Sequence, residues 1–301
     1  MLRTVGAFPS SVAATTERYR GDAERLEARR RAYLDPAFLA SLPARAGLSP
    51  GDRVLDLGTG GGFLARALAR SIPLRVTGLD LDAGALAWAA RAVADEGHRW
   101  MDHVQGDATR LPVKPGRFDA VVCLTLLCVV PDPAAVVRAA REALKPGGRF
   151  LAIEWSGVGS FSDPADREHE VLAREAAAAW VRGFDAAHGA RHHLGGDVPA
   201  LALDAALDDV RVGGHLAVFS PADRSRPLAD RVEAVRNERA EIGPSLERRL
   251  STGGMPEERI ARYVAKRSAA LDALLADPTE ARFARAAWVQ TLPMTVVSAK
   301  R

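Results

Sequence analysis

Chemistry in this chain concentrates in Val54-Leu55-Asp56-Leu57-Gly58-Thr59-Gly60-Gly61-Gly62-Phe63. Glycines at 58, 60 and 62 lie between an apolar run and a helix-forming run, where bare backbone can pass close to a ligand. A dinucleotide fingerprint would place glycine at 58, 60 and 63, and position 63 is Phe. Asp56 stands two residues before the first glycine. A carboxylate there would repel a pyrophosphate and suits a ligand that carries positive charge; the plainer alternative is that it caps the following helix.

The surrounding pattern supplies the elements that must position this turn. Short apolar runs alternate with helical segments: strands at 53–58, 74–80, 103–107, 118–127 and 149–155, with helices at 63–71, 83–96 and from Asp132-Pro133 to about Leu144. Lys145-Pro146-Gly147-Gly148 turns the chain before the fifth strand. The fourth run is almost wholly apolar, as a strand covered on both faces should be. Such alternation predicts an α/β protein with a doubly wound parallel sheet. Asp35-Pro36 starts a helix in the leader, with proline at its first position. Beyond Trp155 helices are predicted over 164–187 and 198–207, then a strand at 210–219. Further helices follow, opened by Pro256-Glu257-Glu258 and by Asp277-Pro278-Thr279-Glu280, which has capping-box spacing. A last strand is expected at 293–300.

With these motifs in order, the sequence resembles the class I S-adenosylmethionine-dependent methyltransferases, in their small-molecule, type 11-like branch. The resemblance covers 45–155 well, and 190–220 and the last strand loosely. It implies a Rossmann-like sheet of seven strands, six parallel and one antiparallel, with N-terminal helices and a helical insertion before the last strand. It also implies S-adenosylmethionine as cofactor, S-adenosylhomocysteine as product, and no metal. Asp56, Gly58, Thr59, Gly60 and Gly62 match the family's first motif. Asp80 matches the acidic residue that accepts from a ribose diol, with Leu81 on the adenine; Asp82 is the competing carboxylate, facing solvent or capping the next helix. Gln105-Gly106-Asp107-Ala108 resembles the adenine motif, with the Asp107 carboxylate and the Ala108 N–H as its contacts. Leu124, in the matching fourth strand, is a further expected cofactor contact. Where many small-molecule members carry a histidine, Leu126-Leu127-Cys128-Val129-Val130 has none, and no Asn/Asp-Pro-Pro-aromatic tetrad of nucleic-acid amino-methyltransferases occurs nearby.

The domains expected are a helical lid segment at 1–50, a donor-binding core at 51–219 with a substrate-side helical segment at 156–209, a helical cap at 220–291, and the last core strand at 292–301. Candidate bases are His169, His192, His193 and His215, each of which could equally be a surface or capping histidine. Tyr19, Cys128 and Trp155 are candidate acceptor contacts, while Trp155 and Trp180 could also simply fill core. His188 and His192 have i, i+4 spacing, but adjacent glycines end the helix there, so no metal is expected. Arg29-Arg30-Arg31 reads as a solvated helix face.

The 301 residues carry 41 Lys+Arg against 38 Asp+Glu, and only Lys114, Lys145, Lys266 and Lys300 are lysine. A net charge of +3 over this length does not call for nucleic acid. No apolar run reaches the roughly 18 residues of a membrane span, and the first 20 residues lack a signal peptide's apolar stretch. Cys123 and Cys128 make no CxxC pair, so a reducing cytoplasm is the expected setting. The function expected is methyl transfer to an O, N or C atom of a small metabolite. The alternatives are an RNA or protein methyltransferase and a non-catalytic partner subunit; a homodimer is left open.

Overall fold

A computed structural model describes residues 23–97, 101–189 and 191–301. Its centre is an eight-stranded sheet in the order β3-β2-β1-β4-β5-β8-β6, with β7 also paired to β8. The strands are β1 (Arg53–Leu57), β2 (Arg75–Asp80), β3 (Met101–Gln105), β4 (Phe118–Leu124), β5 (Leu144–Trp155), β6 (Ser160–Ser162), β7 (Asp208–Phe219) and β8 (Val289–Lys300). The first five pair in parallel, and β8 inserts antiparallel between β5 and β7. Because β7 is antiparallel to β8, it points the same way as β5, which gives the expected six parallel strands and one antiparallel.

The eighth strand is the departure from expectation. After Trp155 pairs with Met294 the chain bulges over Ser156–Gly159, then resumes on the same side of β8 with Ser160 opposite Thr291. β8 is correspondingly longer at its start than the 293–300 segment suggests. The Lys145–Gly148 turn is likewise absorbed into β5: Phe118 pairs with Leu144 but Ala120 with Arg149, so the extra residues bulge out, with Gly147 at φ +79°.

The helices are α1 (Ala23–Tyr33), α2 (Pro36–Arg45), α3 (Phe63–Ser71), α4 (Ala83–Asp95), α5 (Pro133–Ala143), α6 (Arg167–His188), α7 (Val198–Asp204), α8 (Leu228–Glu241), α9 (Pro244–Thr252), α10 (Glu257–Leu275) and α11 (Glu280–Phe283). Their starts follow capping chemistry: the carboxylates of Asp35, Asp82, Asp132 and Asp166 each accept from a backbone N–H in the first turn, and Thr279 does so for α11. Gly243-Pro244 does more than end α8, since Pro244 opens the separate helix α9.

Two apolar layers sandwich the sheet. Leu55, Leu57, Val121, Phe150 and Val297 pack under α5 and α7 on one face, and Val54, Val76, Val122, Leu151 and Ile153 pack under α2 and α3 on the other. A third cluster joins the cap to the sheet's carboxyl edge: Phe161, Phe219 and Trp288 from the strand ends meet Val232, Val235, Leu271, Leu274 and Phe283 from α8, α10 and α11. A fourth, with Leu172, Ala176 and Leu250, ties α9 to α6. The 228–283 helices therefore lie over the edge where the parallel strands end. At about 25 cal/mol per Å² of buried apolar area, this packing is what holds them there.

Candidate active site

The glycine turn sits at the carboxyl edge between β1 and α3. Gly58, Gly60 and Gly62 have φ of +62°, +53° and +75°, the left-handed region open to glycine. At Gly58 there is a second constraint, since a Cβ would stand 2.6 Å from Leu126 Cδ1. Gly62 precedes α3 without a side-chain cap, so the first N–H groups of that helix face the turn.

Two carboxylates frame the turn. Asp56 is 1% exposed and its Oδ2 accepts from Thr59 Oγ1 at 2.6 Å. Burial pushes its carboxyl up to about 7, against the lowering effects of Thr59 and of Arg30. Asp80 accepts from Gly60 N with Oδ2 at 2.7 Å and from Asp82 N with Oδ1 at 3.0 Å. Burial raises it too, against those two hydrogen bonds. Each of its oxygens keeps a lone pair for a further donor. The Thr59 hydroxyl donates to Asp56 and its methyl packs where Gly78 leaves room.

Asp82 caps α4 through Gly84 N at 2.7 Å and is 5% exposed, so the solvent-facing alternative is wrong. Leu81 is half-buried, its carbonyl held by Gln105 Nε2 at 2.9 Å. Asp107 Oδ1 accepts from Thr109 N and Oγ1, both at 2.8 Å, which leaves Oδ2 for a ligand amino group; Ala108 is buried beside it. Leu124 is buried at the end of β4. Asp56, Asp80, Leu81, Asp107, Ala108, Leu124 and the glycines thus share one edge of four adjacent strands.

Three residues here escaped sequence reading. Arg30, expected on a solvated face, is half-buried; its Nη2 lies 3.4 Å from Thr125 Oγ1, and its Nη1 would lie 3.8 Å from a Cβ at Gly60. Burial lowers its pKa, while Asp56 and then Asp80 are the strongest charges opposing that. Arg29 and Arg31 on either side are exposed. Thr125 itself adopts φ +52°, which is uncommon outside glycine. Glu154, fully buried at the end of β5, accepts with Oε1 from Leu126 N at 2.9 Å and Leu127 N at 2.7 Å, and so shapes the loop after β4. Burial pushes its carboxyl up to about 7. A helix face read by composition could not reveal Arg30, because only the docking of Glu27 on Arg66 turns that position inward.

The candidate histidines scatter. His169 is 1% exposed, with Nδ1 2.8 Å from Asp163 Oδ2 and its ring 4.9 Å from Phe161, inside the cap cluster. Burial lowers its pKa, against Asp163. His192 packs among Trp155, Trp180 and Phe184, with His193 against it. His215 stacks on Phe38 at 3.8 Å, with Nε2 3.7 Å from Asp35. These positions do not converge on the glycine turn. Cys123 and Cys128 are buried, and burial first, then Glu154, pushes their thiols well up, so neither is a thiolate at neutral pH. Trp155 lies at the junction of the two sheet cores. Tyr19 lies outside the described residues. Among the described residues no group of three or more His, Cys, Asp or Glu could hold a metal, and no helix is long and apolar enough to cross a membrane.

The comparisons agree with this geometry. Residues 55–152 match the family model described as a methyltransferase domain. A ubiquinone biosynthesis O-methyltransferase from Sodalis glossinidius is 40% identical over 119 residues, which is 40% of this chain and 47% of that protein. The chain spans about half the length of the curated relatives it matches. A putative methyltransferase from Bacillus halodurans shares the fold over 88% of this chain and 98% of its own, with TM-score 0.56 and 22% identity. Phosphoethanolamine N-methyltransferase 2 of Haemonchus contortus, solved with phosphomonomethylethanolamine and S-adenosylhomocysteine, does so over 98% of this chain and 61% of its own, with TM-score 0.55 and 18% identity. The core of this chain, residues 55–152, is thus similar to a methyltransferase domain. The curated relatives matched at this core are O-methyltransferases, and the solved structures share its fold.

Proposed function

We propose that this chain binds S-adenosylmethionine at the Asp56–Asp80 edge and methylates a hydroxyl oxygen of a small metabolite. The observation that carries the reading is the pair of carboxylates around a left-handed glycine turn. Both are raised by burial, and both gain from a cationic, hydroxyl-bearing ligand that accepts the turn's close backbone approach. When bound, the cofactor supplies a methyl group already activated for displacement. The chain's own contribution is alignment, worth about 7–11 kcal/mol in favourable cases. Asp56 and Asp80 supply charge, Asp107 and Ala108 supply an edge for a purine, and Glu154 fixes the loop at 126–127. Oxygen is favoured as acceptor because the relatives that match the core are named O-methyltransferases.

The cap at 220–291 and α1 form the acceptor side. Supporting this, Tyr33 donates to Gln290 Oε1 at 3.1 Å, and Arg267 lies 4.1 Å over Trp288 and 4.8 Å over Phe161. Arg267 pairs with Glu238 at 2.5 Å, and Tyr263, pushed up to about 12 by burial, stays a neutral phenol there. Because these side chains pack the cap over the strand ends, the acceptor side would be covered, which suits a small acceptor more than a folded polymer. The test is incubation with methyl-labelled donor and, separately, small-metabolite, RNA and protein fractions. Label in the small-metabolite fraction is expected; label confined to a polymer fraction, or no donor binding by calorimetry, overturns the reading.

A further inference from the structure

Helix α1 carries buried functional contacts at i, i+3 spacing. Glu27 is 4% exposed and pairs at 2.5 Å with Arg66 of α3, itself 1% exposed. Arg66 also donates to the Gly61 carbonyl at 2.8 Å, so one guanidinium pins α1 to the glycine turn. One turn on, Arg30 extends over Gly60 to Thr125. One turn further, Tyr33 enters the cap. Ala23 closes the start of the helix against the turn, 3.6 Å from where a Cβ on Gly61 would stand. The strap is held by a buried ion pair at its Glu27 end and a half-buried hydrogen bond at its Tyr33 end, and its cation is presented between them.

Resting on the donor-site reading above, we propose that Arg30 is a resident counter-cation of that site, and that a cationic ligand held by Asp56 and Asp80 must take the place of its guanidinium. Asp56 and the half-buried Asp80 flank one turn, and the charge of Asp80 adds to the rise of the Asp56 carboxyl. The guanidinium of Arg30 opposes the rise of both until a ligand cation arrives. Arg30 then has to turn away or be carried off with α1, and the work of moving it is deducted from ligand affinity. The deduction depends on charge, so it falls harder on a sulfonium ligand than on the thioether that differs from it by one methyl and one positive charge.

The test is calorimetric titration of the full chain with S-adenosylmethionine and, separately, with S-adenosylhomocysteine, for wild type, Arg30→Gln and Arg30→Lys. Arg30→Gln should bind S-adenosylmethionine at least fivefold tighter than wild type and S-adenosylhomocysteine by a smaller factor, so that the ratio of the two dissociation constants shifts. Arg30→Lys, which keeps the cation, should stay near the wild-type ratio. A merely structural role for Arg30 would change both affinities by the same factor and leave the ratio fixed, which refutes the proposal. Weaker binding of both probes in Arg30→Gln also refutes it, because Arg30 would then be a ligand to the donor. If wild type and both variants bind neither probe, the donor-site reading itself fails.

Discussion

Replacing Asp56 by Asn should make the protein more stable while making it a poorer binder, and the size of the effect follows from the site. Burial lifts the Asp56 carboxyl from the ordinary carboxylate range to about 7. At about 1.4 kcal/mol per tenfold change in proton affinity, keeping it ionised in the fold costs about 4 kcal/mol. Because the folded value lies above the unfolded one, the folded chain retains the proton through the window from about 4 to about 7. Stability from this group therefore falls as pH rises through that window, and the full cost is present above it. Asn keeps an oxygen for the 2.6 Å bond from Thr59 Oγ1 and carries no charge to desolvate. Some of the gain is returned because Arg30 loses a counter-charge, so a net gain of about 2 kcal/mol is expected at pH 8. For a chain of this size that is a rise of a few degrees in melting temperature, with less than half of it left at pH 5. Thermal melts of both proteins at the two pH values decide it. An equal shift at both, or a variant less stable at pH 8, would refute the account of Asp56 as a charge held at a cost.

Gly58→Ala forces a side chain into φ +62° and sets its Cβ 2.6 Å from Leu126 Cδ1. A stability loss of about 1–2 kcal/mol from the backbone alone, and S-adenosylhomocysteine affinity reduced more than tenfold, should appear by melting and calorimetry; retained affinity would mean the turn does not approach the ligand. Asp80→Ala removes the acceptor of the Gly60 N–H and should weaken S-adenosylhomocysteine binding about 10- to 100-fold, the scale of hydrogen bonds to a charged group, with unchanged affinity counting against its role. Glu154→Gln keeps an acceptor for Leu126 and Leu127 but cannot ionise. In wild type the exchange protection of those two amides should rise with pH through about 7 as the carboxylate forms; in the variant it should stay flat, and parallel profiles would dismiss Glu154 as the cause.

The core was legible because its signals are local. Strands β1, β2, β4 and β5 carry apolar runs bounded by Gly, Pro and Asp, and residues such as Asp132 and Asp35 bond to amides three positions away. The motif residues Asp56, Asp80 and Asp107 came together because a parallel sheet brings the ends of β1, β2 and β3 to one edge. What was not legible depends on long-range packing. The extra strand β6 exists only because β8 offers it an edge after a four-residue bulge. Arg30 looks like its neighbours in sequence, and only the docking of Glu27 on Arg66 turns that position inward. The inward turn of Thr59 onto Asp56 was likewise not legible, because it depends on the gap that Gly78 leaves on the adjacent strand.

On the proposed reading, the same helix would couple the 220–291 cap to the donor site. Arg30 and Tyr33 lie one turn apart on α1, so they share a face of a rigid element. Glu27 fixes that element to the glycine turn through a pair whose members are 4% and 1% exposed, and removing one member of a buried pair typically costs about 3–5 kcal/mol. The strap is therefore held far more firmly at its Glu27 end than at its Arg30 end, where the contact to Thr125 is 3.4 Å long. If Arg30 yields its place to a ligand cation, the strained segment is the Arg30–Tyr33 turn, and the strain is passed to the Tyr33–Gln290 contact and the aromatic cluster beyond it. The proposed donor site and acceptor cap would then be joined by three residues of helix rather than by a path through the sheet. A Tyr33→Phe variant, which deletes the donor to Gln290 and little else, should consequently alter S-adenosylmethionine affinity although Tyr33 belongs to the cap; an affinity identical to wild type would show the two sites to be independent.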